Sequence, residues 1–126
     1  MILVQVEEDV IRSTIRGFSR YIILWILTQK PESGYRISKE LKRLTGRSFN
    51  TGVVYPLLYR LEERDFINGK WLSRGKRRIK QYSITEKGTK LIKQMQKLFE
   101  MPIRDVLKDF LGEGEPSNGT DRSFAS

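Results

Sequence analysis

Three consecutive stretches decide the fold: SGYRISKELKRLTG (33–46), SFNTGVVYPLLYRLEER (48–64) and KWLSRGKRRIKQYSI (70–84). In the first, Ile37, Leu41 and Leu44 recur at helical spacing. Ser33 stands where an N-cap belongs, and Thr45-Gly46 is a stop, because glycine enters the left-handed region without a Cβ penalty. The spacing predicts a helix over 34–44. In the second stretch Ser48 or Asn50 caps a helix running to about residue 64, with Val54, Leu58 and Leu61 as its core stripe. Pro56 costs that helix a backbone hydrogen bond, and Asp65 tolerates the left-handed geometry that ends it. In the third stretch the period falls to two. A strand around 70–72, a turn over 73–76 and a returning strand with Ile79, Gln81, Tyr82 and Ile84 form a hairpin. Two short helices on a tight loop, followed by a basic hairpin, read as a winged helix-turn-helix. The expected fold class is mainly α with a small β-hairpin.

Working outward, residues 14–85 make the winged-helix domain. Before them, 1–13 with Ile2, Leu3, Val4 and Val6 is expected to be a strand or a loose arm. From residue 14 a helix places Ile15, Phe18, Ile22, Trp25 and Ile26 on one face, while Tyr21, Ile23, Leu24 and Leu27 make its other faces apolar too. A helix apolar all round is buried on more than one side, which in so small a protein implies a second chain. It ends at 30–34, where Pro31 disfavours helical geometry at Lys30. After the hairpin Thr85 caps a fourth helix carrying Leu91, Ile92, Met95, Leu98 and Phe99. Pro102 interrupts it or opens a fifth, with Ile103, Val106, Leu107, Phe110 and Leu111 on one side. Residues 86–111 are therefore expected to dimerise, through Leu91, Met95, Leu98, Phe99, Ile103 and Leu107 together with Phe18, Ile22 and Trp25. The polar stretch 112–126 is expected to be disordered.

At 126 residues the chain suits one domain. It has no cysteine and no histidine, which removes disulfides, thiolate metal sites, thiol nucleophiles and the usual neutral-pH base. No cofactor is implied. Glu62 and Glu63 are the adjacent acids near the helix pair, and neighbours on a helix point apart, so no enzymatic constellation emerges. The most apolar run, 21–27, is far short of the ~20 residues that cross a bilayer. The acids Glu7, Glu8 and Asp9 are unlike a secretory leader, and a cytoplasmic location is expected.

A net charge of +9 points to a polyanionic partner. Arg36, Lys39, Lys42, Arg43 and Arg47 cluster against the single acid Glu40, and Lys70, Arg74, Lys76, Arg77, Arg78 and Lys80 against none. In a winged helix the second helix of the pair enters the major groove and the wing follows the backbone. The expected DNA contacts are Arg36, Lys39, Arg47, Asn50, Thr51, Tyr55, Tyr59 and Arg60 from the helices, and Arg74, Lys76, Arg77, Arg78 and Lys80 from the wing. Thr51, Tyr55 and Tyr59 share one outer line of their helix. Ordinary alternatives stand beside this: Tyr55 packed in the core, and a solvated, lysine-protected edge strand. A winged-helix module holding a protein partner or structured RNA is the competing function, since fold does not fix function.

The residues also resemble the PadR-like transcriptional regulators. The resemblance rests on Gly34-Tyr35-Arg36-Ile37 with Leu41, on Gly52, Tyr55-Pro56, Leu58 and Arg60-Leu61-Glu62, and on Trp71, Gly75, Arg77, Tyr82, Thr85 and Gly88. It implies a homodimeric winged helix, usually a repressor, bound to a pseudo-palindromic double-stranded operator. It also implies that the C-terminal helix packs on the partner's N-terminal region. The length is similar to that of the short subfamily with one C-terminal dimerisation helix. Asp65 stands where the family usually has glycine, and the amphipathic piece after Pro102 is less typical. Some relatives bind a small aromatic effector between subunits; Trp25 is placed to line such a space, although a tryptophan there ordinarily belongs to the core.

Overall fold

The structure, a computed structural model, describes residues 2–100 and 102–113, with the backbone alone for 2–6 and 51. The elements are α1 (Ile2–Gln29), β1 (Glu32–Ser33), α2 (Gly34–Thr45), α3 (Thr51–Glu63), β2 (Ile67–Arg74), β3 (Arg77–Ile84), α4 (Glu86–Leu98) and α5 (Ile103–Phe110). Helices dominate, and the strands form one small antiparallel sheet in the order β1-β3-β2. This is a winged helix.

Local chemistry sets most boundaries. The Ser33 side chain accepts the Arg36 amide at 3.2 Å and opens α2, while Gly46 at φ 73 closes it. Asn50, one of two caps the spacing allowed, accepts the Val53 amide at 3.1 Å and opens α3. Asp65 at φ 63 turns the chain into β2. Pro56 leaves α3 continuous. Thr85 accepts the Gly88 amide at 3.0 Å at the start of α4.

Four expectations change. Residues 2–13 are neither strand nor loose arm but the first turns of α1. The hairpin turn is tighter than expected: the ladder reaches Arg74↔Arg77, leaving Gly75 and Lys76 as the loop. Gly75 has φ 65, the glycine-first arrangement of a type II′ hairpin. A third strand, β1, pairs Glu32 with Tyr82 and Ser33 with Gln81. Finally, Leu44 is exposed, because α2 spends its inner face on Gly34, Ile37 and Leu41.

The core of the first unit, Met1–Lys93, joins Ile23, Leu24, Ile26 and Leu27 of α1 to Ile37 and Leu41 of α2 and to Val54, Leu57, Leu58 and Leu61 of α3. Ile67, Tyr82 and Ile92 complete it. Truncating one such leucine to alanine typically costs about 2–5 kcal/mol. Of the α1 face expected to be apolar, Phe18 is 51 % and Trp25 44 % exposed, so neither belongs to this core. Ile22 and Leu91 are half-buried against it.

The second unit, Gln94–Ser126, holds the end of α4 and α5. Met95, Phe99 and Ile103 are half-buried, whereas Leu98, Val106, Leu107, Phe110 and Leu111 are exposed. None of the residues of α5 is buried. Gly112, at φ 74, and Glu113, whose amide donates to Lys108 O at 2.8 Å, close α5. The rest of the expected disordered stretch, 114–126, lies outside the described residues.

Candidate nucleic-acid interface

Strand β1 brings the N-terminus of α2 against the wing, and α3 sets Tyr55 beside both. The result is a groove of about 590 Å³ whose walls include Tyr35, Tyr55, Trp71, Arg77, Arg78 and Lys80. Tyr55 and Tyr59 remain 43 % and 65 % exposed on α3, so Tyr55 is not a core residue. Its ring lies on Gly34: a Cβ there would stand 2.7 Å from Tyr55 Cε1 and 2.9 Å from Cζ. The contact explains why a glycine opens α2. The side chain of Thr51, third on the same line, is not among those described.

The wing is a concentration of unopposed charge. Arg74 faces Arg77 across the ladder, and Lys76 lies in the turn between them. Like charges directly opposite on a hairpin are destabilising, and no acid among the described residues pairs with these three. The Arg78 guanidinium stacks over the Trp71 ring, 5.0 Å from its centroid. Lys80 approaches the same ring at 5.9 Å, so Arg78 and Lys80 do share one face of β3.

Lys80 nonetheless differs from its neighbours. Its Nζ donates to Glu62 Oε1 at 2.9 Å, while Glu62 Oε2 accepts the Gly69 amide at 3.1 Å. One carboxylate thus ties α3 to both wing strands. A side chain at Gly69 would overlap Lys80. The bond to Glu62 holds the lysine's pKa above its ordinary value, and burial opposes it. Because the folded pKa is raised, this contribution to stability is complete below the free lysine's pKa of about 10.4 and is lost as pH rises through the folded value. Glu62→Gln is expected to cost about 1 kcal/mol at neutral pH, read by urea unfolding, with the deficit shrinking above about pH 10. A deficit that persists unchanged in strong alkali would exclude the ion pair as its source. Nearby Tyr82 has a raised pKa, chiefly through burial.

The remaining candidates divide. Arg36 lies 4.0 Å from Glu32, and Lys39 sits over the Tyr35 ring at 4.8 Å, which lowers the phenol's pKa through a hydrogen bond. The Asn50 side chain is committed to capping α3. Arg47 and Arg60 are not brought to the groove; they line hollows facing Arg16 of α1. The groove adds Tyr35 and Trp71, which the sequence named only among the residues of the family resemblance and not as DNA contacts. Their signal in the sequence was an aromatic set beside basic residues at both ends of the motif.

The geometry defines a winged helix-turn-helix protein with a cationic wing beside an aromatic face of the second motif helix. The chain belongs to the PadR-like family of transcriptional regulators, whose profile matches residues 23–94. No curated protein sequence matches it. Among solved structures, a transcriptional regulator from Thermoplasma acidophilum is 26 % identical with a TM-score of 0.70, covering 79 % of this chain and 96 % of that one. One from Clostridium thermocellum is 29 % identical with a TM-score of 0.67, covering 79 % and 95 %. Bacillus subtilis PadR, solved in complex with operator DNA, is 26 % identical with a TM-score of 0.59, covering 73 % of this chain and 56 % of that one. Among the described residues no helix is long and apolar enough to cross a membrane.

Proposed function

We propose that the chain is a homodimeric, sequence-specific DNA-binding repressor that reads a pseudo-palindromic operator. Its α3 enters the major groove through Thr51, Tyr55 and Tyr59, and Arg74, Lys76, Arg77 and Arg78 rest on phosphates. The observation that carries this reading is the juxtaposition of the exposed Tyr55 of α3 with Arg77 and Arg78 of the wing, which no acid among the described residues engages, at one groove, with Tyr59 exposed one turn further along α3. Arg36 and Lys39 at the start of α2 extend the cationic edge. Lys80 and Asn50 act as positioning residues, since Glu62 and the α3 amides already engage them. The operator complex of the Bacillus subtilis relative supports the partner. Dimerisation is supported by the exposed Phe18 and Trp25 on α1 and by the exposed apolar side chains of α5. Two subunits on a two-fold axis would meet two half-sites about one helical turn apart.

A competition experiment tests this. A palindromic duplex selected from a random library should outcompete random duplex by about 10³ or more at physiological salt. Equal competition by random duplex, or stronger competition by a structured RNA, would overturn it.

Gly34→Ala probes the tyrosine's placement. The intruding Cβ meets the far end of a ring that is free to swing, so stability should change by less than about 1 kcal/mol. Tyr55 would be displaced, and preference for the selected duplex should fall about tenfold, a 1.4 kcal/mol effect. An unchanged preference in a variant that melts normally would remove Tyr55 from the reading face.

A further inference from the structure

Away from the tyrosine line, α3 helps to build a second basic site. A cavity of about 390 Å³ between α1, α3 and the start of α4 is lined by Arg20, Arg60 and Arg64, with the rings of Tyr21 and Phe66 among its apolar walls. No hydrogen bond or ion pair engages these three guanidiniums among the described residues. Arg20 Nε is sealed from solvent and still has no hydrogen-bond partner. Buried donors in folded proteins are bonded in roughly nine cases of ten or more, and a guanidinium cannot escape by giving up its proton. Three guanidiniums face one carboxylate, Glu63, in the lining, which leaves two positive charges uncompensated.

We propose that this cavity binds a small organic phosphate, a dianion whose phosphoryl oxygens meet Arg20, Arg60 and Arg64 and whose apolar body lies against Tyr21 and Phe66. A phosphomonoester carries about −1.5 to −2 charges at neutral pH and offers three strong acceptor oxygens. Guanidinium forks match that geometry with paired N–H donors, which a point-charge ammonium does not reproduce. A DNA backbone is the poorer occupant: it carries one charge per phosphate, and so balances only one of the two uncompensated charges. The site shares no residue with the wing groove, so it stands whether or not the DNA reading does. Its occupant would bridge α1 to α3.

The test is calorimetric titration of the full chain, in phosphate-free chloride buffer, with phenyl phosphate, inorganic phosphate and benzoate. Phenyl phosphate should bind saturably with one site per chain, at least about tenfold tighter than benzoate, which has the same ring and one charge. Inorganic phosphate, lacking the body, should bind more weakly than phenyl phosphate. Arg20→Lys keeps the charge and the aliphatic stem but loses the fork, and should weaken binding about tenfold without changing the ligand-free melting temperature. Arg60→Gln, at an exposed position, should weaken it too and guards against a folding defect in the first variant. The Arg77→Ala/Arg78→Ala variant should bind phenyl phosphate as the parent does. The proposal is overturned by no saturation below about 10 mM, by benzoate binding as tightly, by unaltered affinity in both site variants, or by loss of binding in the wing variant.

Discussion

Arg77→Ala/Arg78→Ala is expected to weaken DNA binding about 30-fold at 0.15 M salt and about 200-fold at 0.05 M, equally for operator and random sequence. The magnitude follows from counterion release. Each phosphate contact contributes about 0.9 to the slope of log affinity against log salt, so two contacts contribute about 1.8. Raised to that power, the two salt concentrations give the two losses. Both arginines are exposed, and neither is held by an acid. The fold should therefore survive; the one contact removed is the guanidinium over Trp71, worth about 0.5–1 kcal/mol at an exposed site. The measurement is a titration of each duplex at four or five salt concentrations. Parallel lines for parent and variant would show that the wing touches no phosphate. Tyr59→Ala should behave in the opposite manner, lowering operator preference while leaving the salt slope unchanged, because a side chain at the base edges releases no counterion.

The contrast between these two variants tracks what could be read from the chain. Caps and turns are chemistry within four residues, and Ser33, Gly46, Asn50 and Asp65 each act as their types dictate. Charge clustering marked the wing for the same reason. What sequence could not reveal lies in contacts between distant residues. β1 is two residues long and exists because Glu32 and Ser33 meet Tyr82 and Gln81. Nothing in Glu32-Ser33 alone suggests a strand, yet this pairing delivers Tyr35 to the groove.

The same holds for which cations are free. Lys80 reads like Arg77 and Arg78, but Glu62, eighteen residues earlier, already engages it. Periodicity also failed to rank the faces of α1, because apolar residues surround it. Ile23, Leu24, Ile26 and Leu27 fill the core while Phe18 and Trp25 face outward. Residues 2–13 extend the same helix, although Ile2, Val4 and Val6 are β-branched and alternate as a strand would. Helix propensity is a weak preference, and the continuous helix overrides it.

Gly88→Ala is expected to destabilise the fold, and its sign separates two arguments. Propensity alone says that alanine in place of glycine inside a helix should stabilise α4 by about 1 kcal/mol. Packing says the reverse. A Cβ on Gly88 would overlap the Phe66 carbonyl oxygen and stand 2.8 Å from Ile84 Cγ1. That carbonyl cannot drift away freely, because it accepts the Thr85 amide at 3.1 Å, and the Phe66 amide donates to Leu61 O at 2.9 Å. The Thr85 hydroxyl adds a bond to Asp65 O at 2.6 Å, and the Lys87 ammonium one to Arg64 O at 2.8 Å. Four bonds therefore fasten the start of α4 and the end of α3 to one corner of backbone, and Gly88 is the point of closest approach. Overpacking costs about 1–3 kcal/mol, and direct overlap with fixed backbone takes the upper end, so a net loss of about 2 kcal/mol remains after the propensity gain. For a unit of this size that lowers the melting temperature by roughly 8–16 °C. Thermal unfolding followed by circular dichroism measures it directly. A variant as stable as the parent would mean that α4 leaves the sheet at a wider distance than its bonds to the Asp65-Phe66 corner imply.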